Sequence, residues 1–165
     1  MERMDVWYER YARDHVAKLP ADVDASVFGL AYNLLHLSYV LVADLESRIH
    51  RPHGWTLPGF RLMFKLWLLG PTRVGDLAAL SAMTRSAVSN AVNTLQREGL
   101  VERQATPGDR RGVLVALTGK GREAVNAAFV AQNEREREWF AALSGAEREH
   151  LADLVRRLIA ARPES

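Results

Sequence analysis

Along most of the chain, apolar residues recur every third or fourth position, as they do on one face of a helix. Val27, Leu30, Leu34, Leu37, Leu41, Leu45 and Ile49 follow this step and predict a long helix over Ser26 to His50. Ala31, Leu35, Tyr39 and Val42 widen its stripe beyond what one partner helix would cover. A shorter helix is expected over Asp5 to Leu19, with Trp7, Tyr8 and Tyr11 on neighbouring turns. A third is expected over Pro58 to Leu69, its proline at an early position that helices accept. Val74 to Leu80 and Thr84 to Glu98 read as two short helices, with Thr84 as N-cap and Gly99 as a left-handed C-terminal residue. The step then changes. Leu100 to Ala105 and Gly112 to Leu117 alternate or run apolar in the β manner, and Pro107-Gly108-Asp109 between them predicts a hairpin turn. Thr118 opens a long helix to about Leu143, and Ser144 with Glu147 has capping-box spacing for a last helix carrying Leu151, Leu154, Val155, Leu158 and Ile159.

The order helix, three-residue turn (Ser81-Ala82-Met83), helix, two-stranded hairpin is the informative part. So short a turn holds its two helices at the steep angle of a helix-turn-helix. On a wheel of the second helix, Val88, Ala91, Val92 and Leu95 face inward, and Ser86, Asn90, Asn93 and Arg97 face outward. Arg85 and Ser89 stand at the N-terminal shoulder, and no acid occurs before Glu98. Such a face can enter a major groove without repelling phosphates. Asn suits adenine, Arg suits guanine and Ser either, and the helix start favours a phosphate. The bland alternative is a solvated amphipathic face. The hairpin tip Asp109-Arg110-Arg111 allows one Arg to pair with Asp109 and the other to enter a minor groove, against the alternative of a surface ion pair.

Charge sharpens this picture. The 165-residue chain carries a net +2, but residues 61–122 hold ten basic side chains against four acidic ones, and the remainder twelve against sixteen. There is no cysteine, which excludes disulfides, thiol catalysis and Cys-ligated metal. No apolar run approaches the roughly 20 residues of a membrane span, and the charged start has no signal-peptide core. A cytoplasmic protein with no membrane partner is expected.

Leu100-Val101-Glu102-Arg103, Asp109-Arg110-Arg111 and Val115-Ala116-Leu117-Thr118-Gly119-Lys120-Gly121-Arg122 resemble the signature of MarR-type winged-helix regulators. Leu77-Ala78, Ala87-Val88-Ser89 and Leu95-Gln96-Arg97-Glu98-Gly99 fit the same pattern, and the likeness extends over roughly residues 26–160. It implies a mainly α fold with a small β-hairpin wing, a winged helix-turn-helix with long N- and C-terminal dimerisation helices. The expected layout is one winged-helix domain over 1–165, with dimerisation helices at 1–50 and 119–162. Its DNA-binding module would span 55–118, with the helix-turn-helix at 74–98 and the wing at 100–117. The resemblance further implies a homodimer that straddles a pseudo-palindromic operator in double-stranded DNA and is often released by a small aromatic or phenolic ligand. Arg85, Ser86, Ser89 and Asn90 fall on positions facing bases or nearby phosphates, Thr84 lies at the helix start, and Arg110 and Arg111 are at the wing. Independently, the broad apolar stripes of the terminal helices are most simply covered by a second chain.

The helix before residue 20 is similar in layout to the urate-responsive subset of that family. In that subset a Trp in this helix and an Asp in the helix before the reading module help hold the ligand. The nearest positions here are His15 and Arg61, both departures; Arg103 fits a basic position, and a further Arg is replaced by Ala91. Candidate ligand residues are Trp7, Tyr11, His15, His36, Tyr39, Phe60, Arg61 and Phe64, and Trp55 is a further candidate. An Arg beside aromatic rings could hold an anionic aromatic compound. The same aromatics could equally be core or interface packing. Histidines 15, 36, 50 and 53 could bind metal or sense pH, but with no Cys and no acid between His50 and His53 no metal site is assigned, and no cofactor is called for.

An enzyme is the main rival class. The chain has no phosphate-cradling Gly loop, no Gly-x-Ser-x-Gly elbow and no His-Glu-x-x-His helix. Glu134, Glu136 and Glu138 alternate with Arg135 and Arg137 as a solvated helix face. The expected function is therefore a transcriptional regulator, a repressor released by a small aromatic or anionic ligand. The alternative is a winged-helix interaction module that no longer reads DNA.

Overall fold

The computed structural model describes residues 4–20, 22–106 and 109–163. The chain packs as two compact units, residues 1–47 and 48–165.

In the first unit α1 (Met4–Val16) packs against α2 (Ala25–Leu45). Asp24 caps α2: its carboxylate accepts from the Ser26 and Val27 backbone N–H groups at 2.9 and 3.1 Å and from the Ser26 hydroxyl at 2.6 Å. These bonds, that from the Ser26 hydroxyl first, hold the Asp24 carboxyl below the usual carboxylate range. The helices approach closely at Gly29, where a Cβ would stand 2.7 Å from Oε1 of the buried Glu9. Glu9 in turn lies 4.0 Å from the Arg13 guanidinium.

Helical backbone continues past α2 through a π-helical turn (Glu46–His50) and a short 3-10 turn (Arg51–His53), and stops at Gly54 with φ 78°. Ala25–His53 is thus one 29-residue helical stretch containing an 18-residue window of mean hydropathy 1.5, long and apolar enough by length and composition to cross a membrane. The sequence expectation concerned an unbroken apolar run, and none of that length occurs here. Asn33, His36 and Ser38 interrupt the run of apolar residues without lowering its average enough. Within the single chain its Leu35 and Tyr39 are 73% and 74% exposed.

The second unit begins with α3 (Leu57–Leu69), whose N-cap Thr56 accepts from the Gly59 N–H. Then follow β1 (Thr72–Arg73), α4 (Val74–Ser81), α5 (Arg85–Arg97), β2 (Val101–Thr106), β3 (Asp109–Leu117), α6 (Gly119–Trp139) and α7 (Gly145–Ala160). The three strands form an antiparallel sheet in the order β1-β3-β2, so the hairpin gains a third strand where only two were expected. Leu62, Met63 and Leu66 of α3, Leu77 of α4, Val88 and Val92 of α5, Val115 of β3 and Val125 of α6 form the buried core. The fold is a mainly helical winged helix-turn-helix.

Two close approaches tie the wing to α6. Thr118 caps α6 by accepting from the Gly121 N–H at 3.0 Å, while its own hydroxyl donates to the Gly99 carbonyl at 2.7 Å. Gly121 lies so near β2 that a Cβ there would stand 1.9 Å from the Leu100 carbonyl oxygen. The Thr-Gly-Lys-Gly sequence is therefore a packing device. Lys120 completes it by donating to the Glu98 carbonyl at 2.8 Å, at the end of α5.

Candidate nucleic-acid interface

The turn between α4 and α5 is made by Ala82, in the left-handed region at φ 50°, followed by Met83 and the N-cap Thr84. The Thr84 hydroxyl accepts from the Ala87 N–H at 3.2 Å and lies 3.0 Å from the Ser86 hydroxyl. This fixes the first turn of α5. Val88, Val92 and Leu95 are buried, and Ala91 is half-buried beside them, as the wheel predicts. Arg85, Ser86, Asn90, Asn93 and Arg97 are exposed, and Ser89 is half-buried at their margin. Of the candidate residues, Thr84, Arg85, Ser86, Ser89 and Asn90 thus come together on the first half of one helix. Arg85 leans toward α4, its guanidinium 3.7 Å from where a Cβ on Gly75 would stand.

The outer face holds interactions that sequence reasoning did not find. The Arg97 guanidinium donates to the Thr94 hydroxyl at 3.1 Å, and that hydroxyl donates to the Asn90 carbonyl. From β2, the Arg103 guanidinium donates to Oε1 of Gln96 and, at 2.9 Å, to Oδ1 of Asn93. Only a long-range contact reveals this. The partners are seven and ten residues distant, across the turn at Gly99 (φ 71°).

At the wing, Ala105 pairs with Val113 and the next residue, Thr106, with Asp109. One step along β2 therefore corresponds to four along β3, which places Arg110, Arg111 and Gly112 in an irregularity of β3. The side chains of Arg110 and Arg111, the turn Pro107-Gly108 and the expected pairing with Asp109 lie outside the described residues.

The candidate ligand residues divide between the two units. In the first, Trp7, Tyr11 and His15 stack in sequence along α1 with ring centroids 5.3 and 4.5 Å apart, and the Trp7 and Tyr11 rings are half exposed. His36 stacks on Tyr32 of its own helix, and Tyr39 is exposed. In the second unit Phe60 is buried, stacked on the buried His50, and Phe64 joins Trp67 and Phe129 where α3 meets α6. Arg61 is exposed on α3. Burial, and next to it the Arg61 charge one turn away, pushes the Lys65 ammonium below the usual lysine range. Trp55 is buried and stacks on His53. Among the described residues no three His, Asp or Glu side chains gather as a metal site. An open depression of about 480 Å³ at the elbow between α6 and α7 is lined by Asn133, Glu136, Arg137, Phe140, Ala141 and Arg148, none of them a candidate.

Comparison with known proteins agrees with the geometry. Residues 55–113 match the MarR family. The uncharacterized HTH-type transcriptional regulator YwaE of Bacillus subtilis (strain 168) is 23% identical over 136 residues, covering 82% of this chain and 80% of that protein. A probable transcriptional regulator from Pseudomonas aeruginosa superposes with a TM-score of 0.70 at 30% identity, over 78% of this chain and 95% of the other. Sco3205 from Streptomyces coelicolor, a MarR family regulator solved in complex with DNA, superposes with a TM-score of 0.77 at 24% identity, over 89% and 94% of the two chains. These relatives are transcriptional regulators rather than enzymes. The chain belongs to the MarR family of DNA-binding transcriptional regulators.

Proposed function

We propose that the chain works in the cytoplasm as a homodimeric, sequence-specific repressor, released from a pseudo-palindromic operator by a small aromatic or anionic ligand. The observation that carries the DNA-reading part is the outer face of α5. Its first turn is fixed by the Thr84 cap, the exposed residues are Arg85, Ser86 and Asn90, and no carboxylate occurs before Glu98. Such a face suits base edges and phosphates alike. The excess of basic side chains over residues 61–122 supplies attraction for the phosphate backbone. Arg110 and Arg111 would reach a flanking minor groove while Thr84, Arg85, Ser86, Ser89 and Asn90 occupy the major groove. In a dimer the two α5 helices would stand about 34 Å apart, one turn of DNA. Dimerisation is supported by the apolar surface that each unit leaves exposed on its own, Leu30 and Leu35 on α2 and Leu158 and Ile159 on α7. Ligand response is supported by the exposed stack of Trp7, Tyr11 and His15, which offers open aromatic faces.

The test is binding of the purified protein to DNA from upstream of its own gene, with salt varied and random competitor DNA present. Tight, competitor-resistant binding that weakens steeply with salt is expected. Replacing Arg110 and Arg111 with Ala should weaken binding and flatten the salt slope by about one to two phosphate contacts. Binding that never exceeds competitor, on this DNA or on any sequence selected from a random pool, would favour the interaction-module reading instead. Aromatic carboxylates and phenols added to the bound complex should release it. Retention across such a panel would remove the ligand-release part alone.

A further inference from the structure

We infer that Arg103 is a positioning residue for base reading: it fixes Asn93 and Gln96 on the outer face of α5 as hydrogen-bond donors toward DNA. The inference rests on the proposal that α5 reads DNA and adds two reading residues, with the polarity in which they read.

The register of the hairpin explains why a charged side chain is there. Arg103 pairs with Val115, whose side chain is fully buried, and Val101, two residues earlier on the same face of β2, is buried too. Arg103 therefore occupies the face of the hairpin that turns toward the helices, at the margin where the apolar core ends and α5 passes over β2. From there its guanidinium meets the carboxamides of Asn93 and Gln96, one turn apart on the exposed surface.

Chemistry then settles which way each carboxamide faces. A guanidinium has five N–H donors and no acceptor, so only a carboxamide oxygen can face it. Asn93 uses Oδ1 and Gln96 uses Oε1, and each NH2 group is left on the side away from Arg103. A free Asn or Gln presents both its oxygen and its NH2 and suits adenine through a bidentate pair. Each oxygen keeps a second lone pair, but with its oxygen turned to Arg103 the carboxamide is held away from the bidentate geometry, and that pairing is weakened. What remains is a donor that suits the paired N7 and O6 acceptors of guanine or the O4 of thymine, finds a single acceptor, N7, beside the amino donor of adenine, and meets only another donor at the cytosine amino group. The half of α5 distant from Thr84 thus discriminates by donor polarity, set by a residue outside the helix.

Selection of binding sites from random DNA tests this with four proteins: wild type, R103A, R103K, and the double variant N93A/Q96A. In wild type the positions facing the second half of α5 should favour guanine or thymine. R103A should lose about tenfold in discrimination at the same positions that N93A/Q96A relaxes, with adenine gaining relative to guanine and thymine, while other positions keep their preference. R103K, whose ammonium also offers only donors, should restore part of the pattern. In the DNA-free protein, the side-chain amide NMR signals of Asn93 and Gln96 should shift in R103A while the core resonances stay, which separates loss of the clamp from loss of the fold. An R103A motif identical to that of wild type, or a loss spread evenly over all positions, would overturn the inference and leave the DNA-reading proposal standing. A wild-type protein that selects no motif would overturn both.

Discussion

At position 121 general helix propensity and this fold give opposite answers. Gly121 is the third residue of α6, where alanine would ordinarily favour the helix by about 1 kcal/mol over glycine. Here its Cβ would overlap the Leu100 carbonyl at 1.9 Å, and the atom in the way is backbone. Gly121→Ala should therefore destabilise the protein by about 3 kcal/mol, as overpacking against an immovable neighbour does. Urea unfolding monitored by circular dichroism would check it, and a stabilised variant would show that β2 and α6 can separate without cost. The contrast with Thr84, Thr118 and Ser144 shows what was legible at this scale. A capping hydroxyl bonds a backbone N–H three residues on, so its role is written in adjacent sequence. The Gly121–Leu100 approach and the reach of Arg103 to Asn93 are not local. In the sequence both residues were visible as parts of a motif, but without their partners.

Elements were legible where a periodic stripe or a cap marks them, and less so where only pairing makes them. The helix pattern gave α3, α4 and α5 to within a residue or two, because each has buried apolar residues at helical spacing and α3 and α5 also begin at a capping threonine. By contrast β1 is two residues long and exists because Thr72 and Arg73 pair with Val115 and Leu114. The π-helical turn after Leu45 inserts itself into an otherwise regular stripe and carries no signature of its own. The start of α7 is the clearest legible case. Ser144 and Glu147 form both halves of the capping box, the Glu147 carboxylate accepting from the Ser144 N–H at 2.8 Å and from its hydroxyl at 2.7 Å. The side-chain bond from Ser144 first, and the backbone bond second, hold the Glu147 carboxyl below the usual range. A carboxyl lowered on folding contributes stability above its unfolded pKa of about 4.3 and loses it as pH falls through the folded value. Ser144→Ala should accordingly unfold more easily than wild type at pH 7, and the gap should narrow below about pH 4 as Glu147 protonates. Thermal melts of the two proteins between pH 3 and pH 7 measure it. A gap of constant size would mean that the carboxylate takes no part in the cap.

For the molecule as a whole, exposed apolar surface and charge point to different partners at different places. The basic excess of residues 61–122 lies within the winged unit, on elements that carry a polar face. Exposed leucines recur along the long helices, Leu30, Leu34 and Leu35 on α2 and Leu151, Leu154 and Leu158 on α7, while Leu68, Leu69 and Leu80 are exposed at the ends of α3 and α4. A single chain that left such stripes in water would forgo about 25 cal/mol for every Å² of apolar surface it could bury. If a second copy covers them, folding and association are one equilibrium, and stability must depend on concentration. Each tenfold rise in protein should then add about 1.4 kcal/mol to the stability of the dimer and raise its melting midpoint by a few degrees. Sedimentation at micromolar concentration should give twice the mass of the chain. Leu158→Glu, on the exposed stripe of α7 and distant in sequence from the buried core, should shift the protein toward monomer and lower its midpoint while leaving the helix content of the winged unit in place. A melting midpoint that stays fixed over a hundredfold dilution, together with a monomeric mass, would refute the dimer, and with it the pairing of two α5 helices on one operator.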